Sequence, residues 1–214
     1  MRDLHNDGVL GGLLKAAGQA LVVLAAPTQP TRPSPAGRLK DTVEDPAQTA
    51  AVAGMMRINH AGEVCAQALY FGHAAAARTE KVRADMLQAA DEEADHLAWC
   101  AQRLDELGAR PSLLNPLWYA GAYTLGVVSA RFGDPIALGF VAETERQVES
   151  HLTDHLQRLP ADDARSRAIV EQMRSDEIAH GQAALRAGGR PLPWPVPQLM
   201  RRAADVLRAI AYRL

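Results

Sequence analysis

The sequence predicts an all-α fold, a bundle of long helices with further apolar and amphipathic helices around it. Three observations carry this. The 214 residues are rich in Ala, Leu and Arg, with only 5% aromatics, and those side chains lose little freedom on entering a helix. No stretch sustains the two-residue alternation of a half-buried strand. Long proline-free segments are punctuated by capping residues, Gly and Pro.

The elements follow in order. Met1 to Ala26 carries the apolar run GVLGGLLKAAGQALVVLAA. Asp3 and Asp7 spoil the basic start of a signal peptide, and Lys15 and Gln19 interrupt a spanning helix. It reads as a short helix lying on a membrane surface or on the protein's own bundle. Residues 27–40 hold Pro27, Pro30, Pro33 and Pro35, the composition of an extended linker. The main domain, 41–214, starts near Asp41. A long helix is expected from Ala47 to about Arg78. A second runs from Thr79, as N-cap, to Leu107, ended by Gly108. Leu113 to Ala130 is a third, with no charge between Arg110 and Arg131. A fourth starts with Asp134 as N-cap and Pro135 in its first turn and runs to about Leu159. After Pro160, a fifth spans Asp162 to Arg186 and ends at Gly188 and Gly189. Pro197 to Leu214 is a last, amphipathic helix.

Composition narrows the function classes. A net charge of −2 speaks against a strongly basic nucleic-acid binder. The 48% of hydrophobic residues is that of a folded chain of one or two domains. Cys65 and Cys100 can build neither a disulfide framework nor a four-cysteine zinc site, and a reducing compartment is the default.

Two local patterns point to chemistry. Glu93-Ala-Asp-His96 and Glu177-Ile-Ala-His180 each place a carboxylate and an imidazole three residues apart, about 60° around a helix and on one face. The apolar stripes are more telling. They read Met56, Glu63, Tyr70 on the first long helix and Met86, Ala90, Glu93, Leu97, Cys100, Leu104, Leu107 on the second. On the fourth the stripe is Val141, Glu145, Val148, Leu152, Leu156, Leu159; on the fifth it is Val170, Met173, Glu177, His180, Ala184. Each places a glutamate where an apolar side chain belongs. A buried unpaired carboxylate costs several kcal/mol. One can protonate; four in one core call for cations.

Glu63, Glu93, His96, Glu145, Glu177 and His180 match the recipe of a ferritin-like four-helix di-iron bundle: one Glu from each of two helices and Glu-x-x-His from each of the others. The intervals Glu63 to Glu93 and Glu145 to Glu177, 30 and 32 residues, suit two helix pairs related by a pseudo-twofold. Two divalent ions would balance four carboxylates. The competing reading is surface charge and ordinary capping. Glu143, about 200° from Glu145 around the helix, is rejected as its rival. Asp176 is placed either to orient a ligand histidine or to face solvent. His151 and His155 read as an exposed or supporting pair, His60 as packing or capping. The two cysteines read as buried small residues, and Trp99, Trp118 and Tyr119 as core or interface.

At Arg57-Ile-Asn-His-Ala-Gly-Glu63, Asp91-Glu-Glu-Ala-Asp-His96, Glu143-Thr-Glu145 and Asp176-Glu-Ile-Ala-His180, together with Pro116-Leu-Trp118, the chain resembles the demethoxyubiquinone hydroxylases of ubiquinone biosynthesis. The likeness runs from about Asp41 to Leu214, and the N-terminal helix and proline-rich linker look like the bacterial branch. It implies an O2-dependent di-iron monooxygenase with two Fe(II) per chain, held by the same six residues, with Glu93 and Glu177 as bridges. It also implies a second-shell or redox role for a histidine near His151, which ideal helix geometry puts about 240° from Glu145, out of reach unless the helix is distorted. The implied substrate is a prenylated methoxy-methyl benzoquinol held in the bilayer. That calls for a peripheral enzyme on the cytoplasmic side of the cell inner membrane, with a homo-oligomer or a biosynthetic complex as possible assemblies. The charge-free segment with Trp118, Tyr119 and Tyr123, and the basic and apolar faces of the tail, suit an anionic lipid surface. The competing classes are a ferritin-like iron-storage or peroxide-scavenging protein, a hydroxylase of tRNA bases and a structural membrane adaptor.

Overall fold

The computed structural model describes residues 9–25, 30–40, 43 and 45–214; the start of the N-terminal segment and the boundary expected at Asp41 lie outside them. Among the described residues there are seven helices and no strand. They are α1 (Val9–Ala25), α2 (Pro46–Ala76), α3 (Glu80–Glu106), α4 (Asn115–Arg131), α5 (Asp134–Arg158), α6 (Ala164–Arg186) and α7 (Val196–Ala211).

Local chemistry sets most of these ends. The Asp45 carboxylate accepts from the Gln48 N–H, the Thr79 hydroxyl from Val82 and the Asp163 carboxylate from Ser166, each filling an orphan donor of a first turn. The start of α5 departs from expectation. Gly133, at φ 106°, is its cap, and Asp134 is already helical. The Asp134 carboxylate instead accepts from the Arg78 N–H and the Thr79 hydroxyl, each at 2.9 Å, and so ties the start of α5 to the start of α3.

α2 packs on α3 and α5 packs on α6, two antiparallel pairs that close on one another. The stripes meet between them: Met56, Trp99, Cys100, Leu104, Leu152, Ile169, Val170 and Met173 form one end of the core, and Tyr70, Met86, Ala90, Leu138 and Val141 the other. Arg103 is fully buried at the α3–α6 contact, where it meets Asp163 at 3.3 Å and the Ser166 hydroxyl at 2.9 Å.

α1, α4 and α7 all lean on α2. α4 approaches most closely, because Gly72 and Gly126 face each other at the crossing. α1 rests on the bundle through Val23, packed with Val64, Ala68, Leu97 and Tyr119, while Leu13, Leu14, Leu21 and Val22 stay exposed. None of the described helices is long and apolar enough to cross a membrane.

Candidate metal centre

The four glutamates that interrupt the apolar stripes are all buried: Glu63 on α2, Glu93 on α3, Glu145 on α5 and Glu177 on α6. His96 is buried with them, and the His180 side chain keeps 12% exposure. The structure brings all six predicted residues into one polar island.

Its geometry divides into two overlapping halves. Glu63, Glu93, His96 and Glu177 each offer one ligand atom, all within 4.8 Å of one another. His96 Nδ1 lies 2.9 Å from Glu93, 3.5 Å from Glu177 and 3.8 Å from Glu63. On the other side His180 Nδ1 lies 3.0 Å from Glu93 and 3.7 Å from Glu177, and Glu145 is close enough to both glutamates to feel their charge. Glu93 and Glu177 belong to both halves.

The outer faces of the ligand side chains are held. His96 Nε2 lies 3.0 Å from the Asp176 carboxylate and His180 Nε2 lies 2.8 Å from Glu92, so both rings turn Nδ1 inward. Asp176 thus serves the histidine of the neighbouring helix. The Tyr70 hydroxyl donates to Glu145 at 2.6 Å. The inward atoms face mainly one another: Glu93 Oε1 and Glu177 Oε2 lie 3.0 and 3.7 Å from His180 Nδ1, none of them in well-formed hydrogen-bond geometry, and Glu145 Oε2 is buried without a hydrogen-bond partner. Buried polar atoms are nearly always satisfied. A set of carboxylate oxygens and imidazole nitrogens converging in this way fits divalent metal.

Three contributors escape sequence reasoning, the first being Glu92, the partner of His180 Nε2. Tyr70 sits on the α2 stripe, but nothing local marks its hydroxyl as a partner for Glu145, 75 residues on. Arg32 lies in the proline-rich segment, which passes over the outer side of His96. Its guanidinium donates to Asp95 at 2.8 Å and to Asp176 at 2.9 Å, reaches within 3.4 Å of His96 Nε2 and lies over the Trp99 ring. Thr31 adds its N–H and hydroxyl to the same Asp95.

The remaining candidates lie elsewhere. Glu143 pairs with Arg146 outside the island. α5 stays α-helical through His151, whose Nε2 meets the Asn59 side-chain oxygen at 3.1 Å. His155, expected to be exposed or supporting, is buried under its neighbours. His60 contacts Asn115. Cys100 is buried and Cys65 less so, and both are free.

Without metal the island is held together by protons. Burial pushes the Glu63 and Glu145 carboxyls well above their ordinary range. Burial alone would lower His96 and His180; the Glu93 charge and hydrogen bonds to Asp176 and Glu177 drive His96 up, and hydrogen bonds to Glu177 and Glu93 lift His180 to about 12. Burial would raise Glu93, but the two histidines beside it hold it well below its ordinary value. The four raised groups stabilise the folded metal-free chain fully below their unfolded values, 4.5 for Glu and 6.5 for His, and progressively less as pH rises toward the folded values. Glu93 acts in the opposite sense, but only below its unfolded value of 4.5. His60, His73, His151 and His155, lowered chiefly by burial, act in the opposite sense below about pH 6.5, so the melting temperature of the metal-free protein is expected to fall only above about pH 7. A flat or rising profile there by scanning calorimetry would contradict this charge arrangement.

Residues 50–211 match the family described as ubiquinone biosynthesis protein COQ7. The chain belongs to the COQ7 family. The 3-demethoxyubiquinol 3-hydroxylase of Cupriavidus metallidurans is 58% identical over 204 residues, 94% of this chain and 99% of its own. The protein of that name from Cupriavidus taiwanensis is 59% identical over 204 residues, again 94% and 99%. That of Xanthomonas axonopodis pv. citri is 54% identical over 211 residues, 99% and 96%. COQ7 proteins form a di-iron enzyme family with a ferritin-like helical bundle, and a buried Glu/His group able to hold metal stands where such a bundle needs it. Arg32 lies upstream of the matched COQ7 segment.

Proposed function

We propose that this chain is a 3-demethoxyubiquinol 3-hydroxylase, a di-iron monooxygenase of ubiquinone biosynthesis that works at a membrane surface. The observation that carries the reading is the pair of overlapping ligand halves inside a chain similar to named hydroxylases over nearly its whole length. Glu63 and His96 would hold one iron, Glu145 and His180 the other, with Glu93 and Glu177 shared. When bound, two Fe(II) supply reductive activation of O2, with one oxygen atom entering the quinol ring and the other leaving as water.

The protein's own groups do the rest. Asp176 and Glu92 fix the ring orientation of His96 and His180, and the Tyr70 hydroxyl holds Glu145 and can carry a proton at its Oε1. A cavity of about 390 Å³ reaches His180 and Tyr70 between walls made by Met86, Leu138 and Val141. It is where we place the ring, against those apolar walls and beside His180 and the Tyr70 hydroxyl, with Lys81, Asp85, Gln88, Glu92 and Arg186 also lining the cavity. The exposed apolar residues of α1, α4 and α7, among them Leu13, Leu21, Leu117, Leu125, Leu199 and Val206, support a peripheral seat on the bilayer, where a prenylated substrate resides. We place it on the cytoplasmic side of the inner membrane, a compartment that suits two free cysteines.

The test is anaerobic reconstitution followed by mixing with demethoxyubiquinol and O2. About two irons per chain and an O2-dependent hydroxylated quinol are expected. Stoichiometric metal without product would leave a storage or scavenging protein. Arg32 gives a separate expectation. Arg32→Ala frees Asp176 from its cation, so metal affinity should weaken roughly 10- to 100-fold, as for other groups that orient a ligand histidine. Chelator competition with Co(II) reads this without turnover. Affinity equal to wild type would reduce Arg32 to a surface contact.

A further inference from the structure

A cavity of about 720 Å³ opens between α5 and α7, and the mechanism leaves it unused. Arg146, Arg158, Arg201, Arg208 and Arg213 line it, against a single lining carboxylate, Asp154. Three of the arginines have partners within their own helices: Arg146 with Glu143, Arg158 with Asp154 and Arg208 with Asp205. Among the described residues Arg201 and Arg213 form no ion pair; Glu143 feels the charge of Arg201 but is already bound by Arg146. Two cations without an ion pair, beside three paired ones, leave the hollow net positive and favourable to an anion.

A second observation lies on the floor. His155 lines the cavity with 1% of its surface exposed, and its Nδ1 has no hydrogen-bond partner. Burial and the adjacent Arg158 hold its ring down to about 4, so it stands neutral and would donate from Nδ1 in the tautomer that carries the hydrogen there. A buried orphan nitrogen on the floor and guanidinium forks on the walls are what a group with several charged oxygens requires. The cavity is also far larger than one ion needs. It opens along the arginine-bearing side of α7, about 200° around the helix from the exposed Leu199 and Val206.

We propose that the α5–α7 cleft is a phosphate-binding site, with Arg201 and Arg213 as its uncommitted cations and the His155 Nδ1 at its base. The headgroup of an anionic phospholipid and a soluble phosphate ester are the two sources of this chemistry. The site is independent of the hydroxylase reading, since none of the proposed iron ligands lines it.

The test uses the full-length protein and the double variant Arg201→Gln/Arg213→Gln, with Arg38→Gln/Arg174→Gln, outside the cleft, as a matched control for net charge. Flotation with phosphatidylcholine vesicles containing about 30% phosphatidylglycerol measures the lipid source, and calorimetric titration with pyrophosphate the soluble one. The cleft variant is expected to lose roughly tenfold or more in affinity for at least one probe, at about 1 kcal/mol per arginine, while the control stays near wild type. A shift of the His155 Nδ1 resonance on adding the bound probe supports the site independently. Loss with vesicles alone assigns the headgroup; loss with pyrophosphate assigns the soluble ester. Equal weakening of both variants, or no binding of either probe by wild type, overturns the proposal. Vesicle binding unchanged in the cleft variant, without pyrophosphate binding, also overturns it while leaving the membrane reading standing.

Discussion

Replacing His96 or Glu177 with alanine is expected to empty the metal centre and abolish hydroxylation while helical content stays largely intact. Both side chains face the island from buried positions on different helices, and each sits within reach of at least two other proposed ligands. The two variants should part company in the metal-free state. His96→Ala removes a cation that faces Glu93, Glu177 and Glu63, which leaves buried negative charge less compensated. Loss of one partner from such a group costs about 3–5 kcal/mol. Glu177→Ala removes one of the mutually repelling carboxylates, whose charge raises both Glu63 and Glu145. It also removes a partner of His96 and His180, so its metal-free form should lose stability, but less than His96→Ala does. Metal content, activity and calorimetry on one set of samples check this. Full iron and full turnover in either variant would refute the ligand assignment, whereas a merely structural role would have both variants destabilised alike.

Gly72→Val and Gly126→Val should each strip stability from the α2–α4 contact. A Cβ on Gly72 would sit 2.3 Å from the Tyr123 carbonyl oxygen, and one on Gly126 2.4 Å from that of Leu69. Both obstacles are backbone, so the helices must separate. Separation would loosen the His73–Ser129 hydrogen bond of 2.7 Å that bridges the same crossing. The cost is about 3 kcal/mol or more, which for a chain of this length lowers the melting temperature by roughly 10 °C. Gly121 on α4 supplies the contrast. A Cβ there meets nothing within 4 Å, so Gly121→Ala should be neutral or stabilising by up to about 1 kcal/mol through helix propensity alone. Equal melting temperatures for Gly72→Val and Gly121→Ala would show that α4 is not held where the structure has it.

These two sets of variants touch features of different legibility. The glutamates were visible because a helix repeats every 3.6 residues, so a carboxylate on an apolar stripe announces its own burial. The caps at Thr79 and Asp163 were equally local, the second displaced by one residue from the Asp162 start that periodicity suggested. Asp134 shows where locality fails. Its type and position read as an N-cap, but Gly133, which needs no Cβ at positive φ, took that place and freed the carboxylate for another helix.

The sequence by itself determined the helices, the apolar faces that pack them and the six side chains that meet between them. All of that is written in residue spacing over a few turns. Only the tertiary structure decided what surrounds those side chains. Arg32 finds Asp176 across 144 positions, Asp95 across 63 and no signal in between. Tyr70 finds Glu145, and five arginines, four on α5 and α7 and Arg213 just past α7, come to share one hollow. A helix's period fixes which way each residue points, but not which residue of a remote segment will be waiting there.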